Sequence, residues 1–326
     1  MGEVDTGAEG SPLRKRPLGK TGLFASELSL GTWGLGGDAY GPVERTDAEA
    51  IVDRALEMGV SLFDTADAYG AGRVERLLGQ KLAKRDDVVV VTRGGTDRTT
   101  DPARKRFDRQ FLEGAVERSR KRLDRDRLDI YLLHNPSVDA LQAGEAIDTL
   151  RELVTRGRIA HFGVSASDAE VGRAALDQGV ALLSLPYNLL LATELHRLSG
   201  DLMVTGAGVL AHSVLAYGAL AGSWAKDREF PDGDHRRDRW TRSELARRVE
   251  QVEGMQFLVQ GDVTTMRGAA VRFALANHQI STVLLGPRSV TQLEQLVRET
   301  GGGPVYLADE ALRSLPQRLR KLGVDL

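Results

Sequence analysis

Eight short apolar segments, each followed by a longer stretch with helical periodicity, constrain the fold of this chain more than any other sequence feature. The segments are rich in Val, Leu and Ile, as strands buried in a parallel sheet are. Eight strands that alternate with helices form either a closed barrel or a doubly wound open sheet. The predicted strands are Leu28–Thr32, Val60–Asp64, Val88–Thr92, Asp129–Leu133, Ile159–Val164, Ala181–Leu185, Gly208–His212 and Thr282–Leu285.

The stretches between these strands show the 3.6-residue period of amphipathic helices. The first, Thr46–Glu57, opens with the letters TDAE, an arrangement that forms a capping box at helix starts. No G-x-G-x-x-G follows the first strand, which counts against a dinucleotide-binding open sheet. Eight strand–helix units in about 300 residues therefore predict an α/β fold, the (β/α)8 TIM barrel. Further helices are predicted at Gln110–Leu123, Leu141–Arg156, Ser167–Gln178, Thr264–Ala276 and Asp309–Leu322.

The sequence predicts a simple domain organisation. Residues 13–326 are expected to form one barrel domain, because no linker or change in composition divides them. A polar stretch with Pro and Gly interrupts the alternation, and it predicts a long loop at about 217–245, of a kind that is usually functional or disordered. Residues 1–12 are acidic and lack the apolar segment of a signal peptide, so they are expected to form a disordered leader.

Composition excludes several classes of function. The 326 residues include 44 Lys and Arg against 46 Asp and Glu, a net charge of -2 that gives no sign of a nucleic-acid partner. Cysteine is absent, which excludes disulfides and Cys-based zinc sites, and the six scattered His give no reason to expect a metal. No run of about 18 apolar residues could span a membrane. We therefore expect a cytoplasmic protein that acts on a small molecule.

Polar residues follow three neighbouring strands of the predicted barrel. Active sites of TIM barrels lie at the carboxyl ends of the strands. Strand two ends in FDTADAYG, which places Asp64 at its tip and Tyr69 in the next loop, while Arg93 and His134 end strands three and four. Each residue alone has a structural explanation, such as capping a helix. Together they place an acid, a phenol, a cation and an imidazole on one rim, which predicts an active site.

Several motifs of the chain resemble the aldo-keto reductase family and occur in the same order. They are RKRPLGKTGLFASELSLGTWGLGG, FDTADAYG-x-G-x-x-E, YLLHNP, GVSA and GPRSVTQLEQL, and they extend from about Leu13 to Val297. The resemblance implies an NADPH-dependent or NADH-dependent enzyme that binds its cofactor across the barrel mouth. Such enzymes pass hydride between the nicotinamide and a carbonyl carbon.

The resemblance also implies roles for four catalytic residues: Asp64, Tyr69, Arg93 and His134. Tyr69 would protonate the developing alkoxide, and His134 would orient the carbonyl. The family has a lysine where this chain has Arg93, which is always protonated and can act only electrostatically. We expect an ion pair between Asp64 and Arg93, with a guanidinium nitrogen within hydrogen-bond reach of the Tyr69 hydroxyl. Whether the arginine preserves reductase activity or serves altered chemistry stays open.

For the cofactor, the resemblance implies NADP(H) and a set of contacts. Ser165 would meet the nicotinamide carboxamide, but two amide side chains that the family places nearby are shortened to Ala166 and Ser184. Arg288 lies where a helix begins after strand eight, and its guanidinium suits a 2′-phosphate. The implied cofactor-binding residues are Gly31, Thr32, Trp33, Ser165, Ser184, Ser213, Leu215, Gly286, Arg288, Ser289, Gln292 and Gln295.

The substrate is expected to be a small organic molecule held among aromatic side chains. The long loop after strand seven would set specificity. The residues expected to line this pocket are Trp33, Tyr40, Trp224, Phe230 and Trp240.

Three functions remain compatible with the sequence. The first is an NADPH-dependent carbonyl reductase or alcohol dehydrogenase. The second is a redox-neutral enzyme on the same scaffold, catalysing elimination or epimerisation, with Tyr69 and His134 as the acid–base pair. The third is a cofactor-binding protein without turnover, which the presence of Asp64, Tyr69 and His134 disfavours.

Overall fold

A computed structural model describes residues 13–300 and 306–325; the predicted leader, residues 1–12, lies outside the described residues. Eight parallel strands pair in chain order, and the last closes the barrel on the first, with Val283 opposite Leu28. The (β/α)8 barrel expected from the sequence is therefore confirmed. The barrel strands are β1 Leu28–Gly31, β2 Leu62–Asp64, β3 Val89–Gly94, β4 Leu128–His134, β5 Ile159–Ser165, β6 Leu182–Pro186, β7 Gly208–His212 and β8 Ile280–Leu285.

Helices surround the barrel and bury their apolar faces against the outer side of the strands. Ile51 and Val52 of the first helix, for example, are fully buried in this layer. No helix in the described ranges is long and apolar enough to cross a bilayer. The helices are α1 Arg45–Glu57, α2 Arg73–Leu82, α3 Arg109–Leu123, α4 Val138–Gln142, α5 Glu145–Thr155, α6 Ala169–Asp177, α7 Thr193–His196, α8 Ser199–Thr205, α9 Arg242–Gly254, α10 Met266–Ala276, α11 Val290–Thr300 and α12 Asp309–Lys321.

Two local predictions differ from the structure. The sequence predicts one helix over 141–156, but Gly144 adopts a φ of 81°, which ends α4 and lets α5 begin at the next residue. The predicted loop at about 217–245 ends earlier, because Thr241 and Glu244 form a capping box that starts α9 at residue 242. Both differences follow from capping and backbone conformation rather than from hydrophobic period.

A short hairpin, Lys15–Pro17 with Phe24–Ser26, closes the amino-terminal end of the barrel. Its turn approaches the start of β7 so closely that a Cβ on Gly19 would lie 2.1 Å from the backbone nitrogen of Gly208. Only glycine fits there. Leu18 and Ala25 of the hairpin region pack onto the apolar floor of the barrel interior.

The barrel interior changes from apolar to polar along the strands. Five buried leucine or valine residues form the floor: Leu62, Val91, Leu132, Leu182 and Leu210. Side chains two positions apart on a strand share a face. The residues two positions further along the same strands are Asp64, Arg93, His134, Ser184 and His212. The two-residue alternation of side chains along each strand therefore places this polar layer directly above the floor, at the carboxyl ends of the strands.

Candidate active site

A cavity of about 800 Å³ opens at the carboxyl ends of the barrel strands. Its walls come from the ends of β1, β2, β3, β4, β5, β7 and β8 and the loops that follow them. Asp64, Tyr69, Arg93 and His134 all line it. The fold thus brings the four predicted catalytic residues into one space.

Asp64 and Arg93 form a buried ion pair at the base of this cavity. Arg93 Nη2 donates a hydrogen bond to Asp64 Oδ2, and the side chains are only 4% and 6% exposed for Arg93 and Asp64. Burial raises the pKa of the Asp64 carboxyl, and the guanidinium opposes that rise. Burial would lower the pKa of Arg93, but the Asp64 carboxylate and Tyr69 together more than offset this, and the pKa is raised. The guanidinium therefore stays a fixed positive charge.

The guanidinium does not hydrogen-bond to Tyr69 as the sequence led us to expect. Arg93 Nη1 donates instead to Ser165 Oγ at 2.9 Å and to Ser184 Oγ at 3.4 Å. The N–H groups of a guanidinium form a rigid planar fork, so with Nη2 held by Asp64, the two serine hydroxyls across the barrel fix the direction of Nη1. Arg93 Nε is buried without a partner among the described residues.

Tyr69 and His134 face each other edge to face, with ring centroids 6.4 Å apart and planes at 89°. Burial raises the pKa of Tyr69 to about 12, although the nearby Arg93 charge lowers it in part. Burial, together with the charges of Arg93 and Lys105, holds the pKa of His134 well below its usual range. At neutral pH the site therefore presents a protonated phenol and a neutral imidazole.

Three further polar residues of the site were not among the sequence predictions. Asn135 lines the cavity, has a φ of 52°, and its Oδ1 accepts a hydrogen bond from Ser165 Oγ at 3.2 Å. His212 also lines the cavity, and burial followed by the charge of Arg93 lowers its pKa to about 3. Lys105 Nζ donates to the His134 carbonyl oxygen at 2.6 Å. The strand pattern that predicted Asp64 at the rim could also have predicted His212, because His212 ends predicted strand seven.

Most of the predicted cofactor-binding residues line the cavity, but three do not. Thr32 is buried and donates its hydroxyl to the Asp64 carbonyl oxygen at 2.8 Å. Ser184 is buried beside Arg93, and the Ser289 hydroxyl accepts from the backbone nitrogen of Gln292 at 3.2 Å. The members that line the cavity are Gly31, Trp33, Ser165, Ser213, Leu215, Gly286, Arg288, Gln292 and Gln295.

Arg288 lies two residues before α11 and is held by the loop that follows β1. Its Nη2 donates to the carbonyl oxygens of Gly41 at 3.1 Å and Pro42 at 3.0 Å. The Gln292 side chain accepts from the backbone nitrogen of Arg288 at 2.8 Å. Arg288 Nε is buried without a partner among the described residues, so one donor of this guanidinium is unsatisfied.

The predicted aromatic residues separate into a lining group and a supporting group. Trp33, Tyr40 and Trp224 line the cavity. Phe230 and Trp240 do not line it but pack against Trp224, with ring centroids 5.2 and 5.9 Å away. The long loop carries Trp224, Phe230 and Trp240, and its path decides which of them reach the cavity.

The long loop is attached to the loop after β1 through backbone hydrogen bonding. Asp234 and Tyr40 form an antiparallel bridge, and the backbone nitrogen of His235 donates to the Ala39 carbonyl oxygen at 2.8 Å. Arg236 pairs with Asp234 and stacks over the Tyr40 ring at 4.9 Å. The loop therefore crosses the barrel mouth and closes one side of the cavity.

A closed (β/α)8 barrel with a polar cavity at the carboxyl ends of its strands has its cavity where barrel enzymes have their active sites. A sequence model of the Aldo/keto reductase family matches residues 27–300. The chain belongs to this family, whose members are oxidoreductases that use nicotinamide cofactors. The family resemblance of its sequence motifs is thereby confirmed.

Individual relatives cover nearly the whole chain. The chain is 29% identical over 299 residues to the aldo-keto reductase YhdN of Bacillus subtilis, with 87% of this chain and 88% of the relative covered. It is 30% identical over 309 residues to the NADH-specific methylglyoxal reductase of Escherichia coli, with 87% and 93% covered. The holo structure of the aldo-keto reductase AKR11C1 from Bacillus halodurans has the same fold, with a TM-score of 0.78, 23% identity and coverage of 95% and 96%.

Proposed function

We propose that this protein reduces the carbonyl group of a small organic substrate to an alcohol, with NADPH as the hydride donor. The observation that carries the proposal is the place of Tyr69. Its phenol lines the cavity edge to face with His134, and it is protonated at neutral pH, since burial raises its pKa to about 12. His134, which is neutral, and the Asp64–Arg93 pair lie beside it.

The cavity residues fit a nicotinamide cofactor at its adenosine end. A Cβ on Gly286 would meet nothing within 4 Å, so the backbone there is open to a ligand. Arg288 has an unpartnered buried Nε close to the start of α11, and helix starts favour phosphate groups. Arg288, Gln292 and Gln295 would hold the adenosine and its 2′-phosphate, while Ser213 and Leu215 would lie along the pyrophosphate.

The cofactor, when bound, supplies hydride to the carbonyl carbon. Tyr69 gives its hydroxyl proton to the carbonyl oxygen, so that one hydride and one proton convert the carbonyl into an alcohol. Arg93 stabilises the tyrosinate that forms, since it is a permanent positive charge close to that ring. His134 holds the carbonyl oxygen with a neutral N–H group. Tyr69 then recovers its proton from water at the cavity mouth.

The contacts of Arg93 favour this reductase over the redox-neutral alternative. Holding a substrate carboxylate or enolate would require free guanidinium N–H groups. Nη2 donates to Asp64 and Nη1 to Ser165 and Ser184, so three of the five guanidinium N–H groups are engaged, while Nε and the second N–H of Nη2 have no partner in the described ranges. A guanidinium that is held in this way supports an electrostatic role in proton transfer. The cytoplasmic location expected from the sequence stays a prediction.

The test of the proposal is a titration followed by turnover. NADPH binding is measured by the change in its fluorescence, and NADPH consumption is then followed with a panel of aldehydes and ketones. Binding together with consumption would support the reductase. Binding without consumption across the panel would contradict it and favour a redox-neutral enzyme or a binding protein without turnover.

We expect NADPH to bind more tightly than NADH, because Arg288 offers a guanidinium where the 2′-phosphate would lie. One charge-assisted hydrogen bond contributes about 1.5–3 kcal/mol, so Arg288→Ala should weaken NADPH binding by roughly tenfold or more. The dissociation constants of both cofactors are measured by fluorescence. The relative in Escherichia coli is NADH-specific, so cofactor preference has to be measured for this chain.

NADH serves as the control in this experiment, because it lacks the 2′-phosphate. Its affinity should stay unchanged in Arg288→Ala if Arg288 acts on that phosphate alone. A parallel loss of NADH affinity would show instead that the bonds from Arg288 to Gly41 and Pro42 shape the site. Equal affinities of the unmodified protein for the two cofactors would also contradict the prediction.

The raised pKa of Tyr69 predicts different pH profiles for the two directions of the reaction. Reduction needs the protonated phenol, which persists up to a pH of about 12, so its rate should stay nearly flat between pH 6 and 9. Alcohol oxidation needs the tyrosinate, whose fraction grows about tenfold per pH unit below the pKa. Oxidation should therefore rise steadily over the same range, and a plateau near pH 8 would contradict the raised pKa.

A further inference from the structure

Arg93 spans the barrel interior and connects strands that are not neighbours. It starts on β3, and its Nη1 reaches Ser165 on β5 and Ser184 on β6. All three side chains are buried, and Ser184 is 0% exposed. Ser165 lines the cavity, whereas Ser184 does not. The contact with Arg93 is therefore a route by which the Ser184 side chain can affect the cavity.

We propose that Ser184 and Ser165 are positioning residues for Arg93. Their hydroxyls accept from the same guanidinium nitrogen, and the small size of Ser184 makes the room that the guanidinium occupies. Its Oγ is already 3.4 Å from Arg93 Nη1, so a longer side chain at position 184 would enter the space of the guanidinium. Positions 93 and 184 therefore form one unit, and a change at one requires a change at the other.

The two serines also determine what Tyr69 can do. Because Arg93 Nη1 donates to Ser165 and Ser184, the guanidinium affects Tyr69 through its charge, without a hydrogen bond between them. A guanidinium can only donate, so a hydrogen bond from Arg93 would occupy a lone pair of the Tyr69 oxygen and favour the phenolate; without that bond the phenol stays protonated. If the guanidinium lost the serine contacts, it could turn towards Tyr69 and bind the phenolate, which would lower the pKa of Tyr69.

A chain of hydrogen bonds connects Arg93 to the cavity wall. Arg93 donates to Ser165 Oγ, which in turn donates to Asn135 Oδ1 at 3.2 Å. The backbone nitrogen of Asn135 donates to the Ser165 carbonyl oxygen at 3.0 Å, which fixes the two residues against each other. Asn135 lines the cavity, so its amide orientation depends on the same arrangement. Hydrogen bonds in such buried chains strengthen one another.

A double-mutant cycle tests the coupling. Arg93→Lys keeps a cation beside Asp64 but loses the serine contacts, and Ser184→Gln overfills the space. Each single change should lower carbonyl reduction about tenfold, whereas the double variant should recover most of that loss, because the shorter ammonium leaves room for the amide. Thermal unfolding and NADPH affinity are measured on the same four proteins. If the fold-losses of the two single variants multiply in the double variant, so that none of the loss is recovered, the proposal is overturned.

Ser184→Ala keeps the small volume and removes one of the two acceptors of Arg93 Nη1, the other being Ser165, so it should fold even if Ser184→Gln does not. It should shift the pH profile of alcohol oxidation towards neutral pH, as expected for a guanidinium that can approach Tyr69. Ser29→Ala is the matched control, since Ser29 is a buried barrel-strand serine whose hydroxyl contacts Thr282 at 2.6 Å. Ser29→Ala should leave the pH profile of alcohol oxidation unchanged. Profiles of Ser184→Ala and Ser29→Ala that both match the unmodified protein would overturn the proposal.

The role assigned to Tyr69 rests on the proposed reductase function, but the coupling between positions 93 and 184 does not. If no substrate is ever turned over, the cycle can still be completed from unfolding temperatures and NADPH affinities. Coupling in those measurements without turnover would contradict the reductase and leave the Arg93–Ser184 unit standing. Turnover without coupling would support the reductase and overturn the Arg93–Ser184 unit.

Discussion

Tyr69→Phe should lower the turnover number of carbonyl reduction by a factor of ~10² or more, because the variant has no proton to give to the developing alkoxide. The phenyl ring keeps the packing against His134, where the ring centroids are 6.4 Å apart. NADPH affinity should therefore change little. The measurements are steady-state turnover at saturating NADPH and the dissociation constant from fluorescence.

A second tyrosine of the same cavity supplies the control. Tyr40 also lines the cavity and is also half-buried, but it lies in the loop after β1 and packs against Trp33, with ring centroids 5.3 Å apart. Tyr40→Phe removes a hydroxyl from the same space without touching the Asp64–Arg93 pair. It should retain most of its activity. Comparable activity in Tyr69→Phe and the unmodified protein would end the assignment of Tyr69 as the proton donor.

The barrel and its rim residues are predictable from the sequence because both depend on short-range pattern. Buried strands show as apolar runs, and the residue that ends such a run in a barrel lies at the active-site rim. The strand pattern alone predicts Asp64, Arg93 and His134 at this rim, and all three line the cavity there. Their catalytic roles stay predictions.

The surroundings of Arg93 could not be predicted in the same way. Its contact with Ser184 joins residues 91 positions apart, and it exists because closure of the barrel brings β6 across from β3. The sequence predicted Ser184 as a nicotinamide contact, while the structure places it beside the guanidinium and away from the cavity. The positions of Phe230 and Trp240 behind Trp224 depend likewise on the path of a loop whose residues carry no periodic signal.

The Asp64–Arg93 pair should be the most sensitive point for stability. Removing one partner of a buried ion pair leaves an uncompensated charge, which typically costs about 3–5 kcal/mol. Arg93→Met keeps an unbranched apolar chain in place of the guanidinium, so most of this cost should come from the carboxylate of Asp64, which is 6% exposed. We therefore expect Arg93→Met to lower the free energy of unfolding by about this amount at pH 8.

The pH dependence of that loss has a definite sign. Burial raises the pKa of Asp64, and without Arg93 the group that opposes this rise is gone. In the variant, the folded state then binds a proton that the unfolded state, with a pKa near 3.9, releases. Stability should fall as pH rises from the unfolded pKa to the raised folded pKa, so Arg93→Met should be less destabilised at pH 5 than at pH 8.

Denaturant unfolding of three variants at these two pH values checks both expectations. Adding Asp64→Asn to Arg93→Met removes the buried charge, so the double variant should regain much of the lost stability at pH 8 and lose the pH dependence. Arg85→Met, which breaks the exposed pair with Asp87, should change stability far less, because exposed ion pairs contribute little. If Arg93→Met unfolds at the same denaturant concentration as the unmodified protein at pH 8, the carboxylate of Asp64 does not need the guanidinium. The electrostatic role given to Arg93 beside Tyr69 would then lose its structural basis.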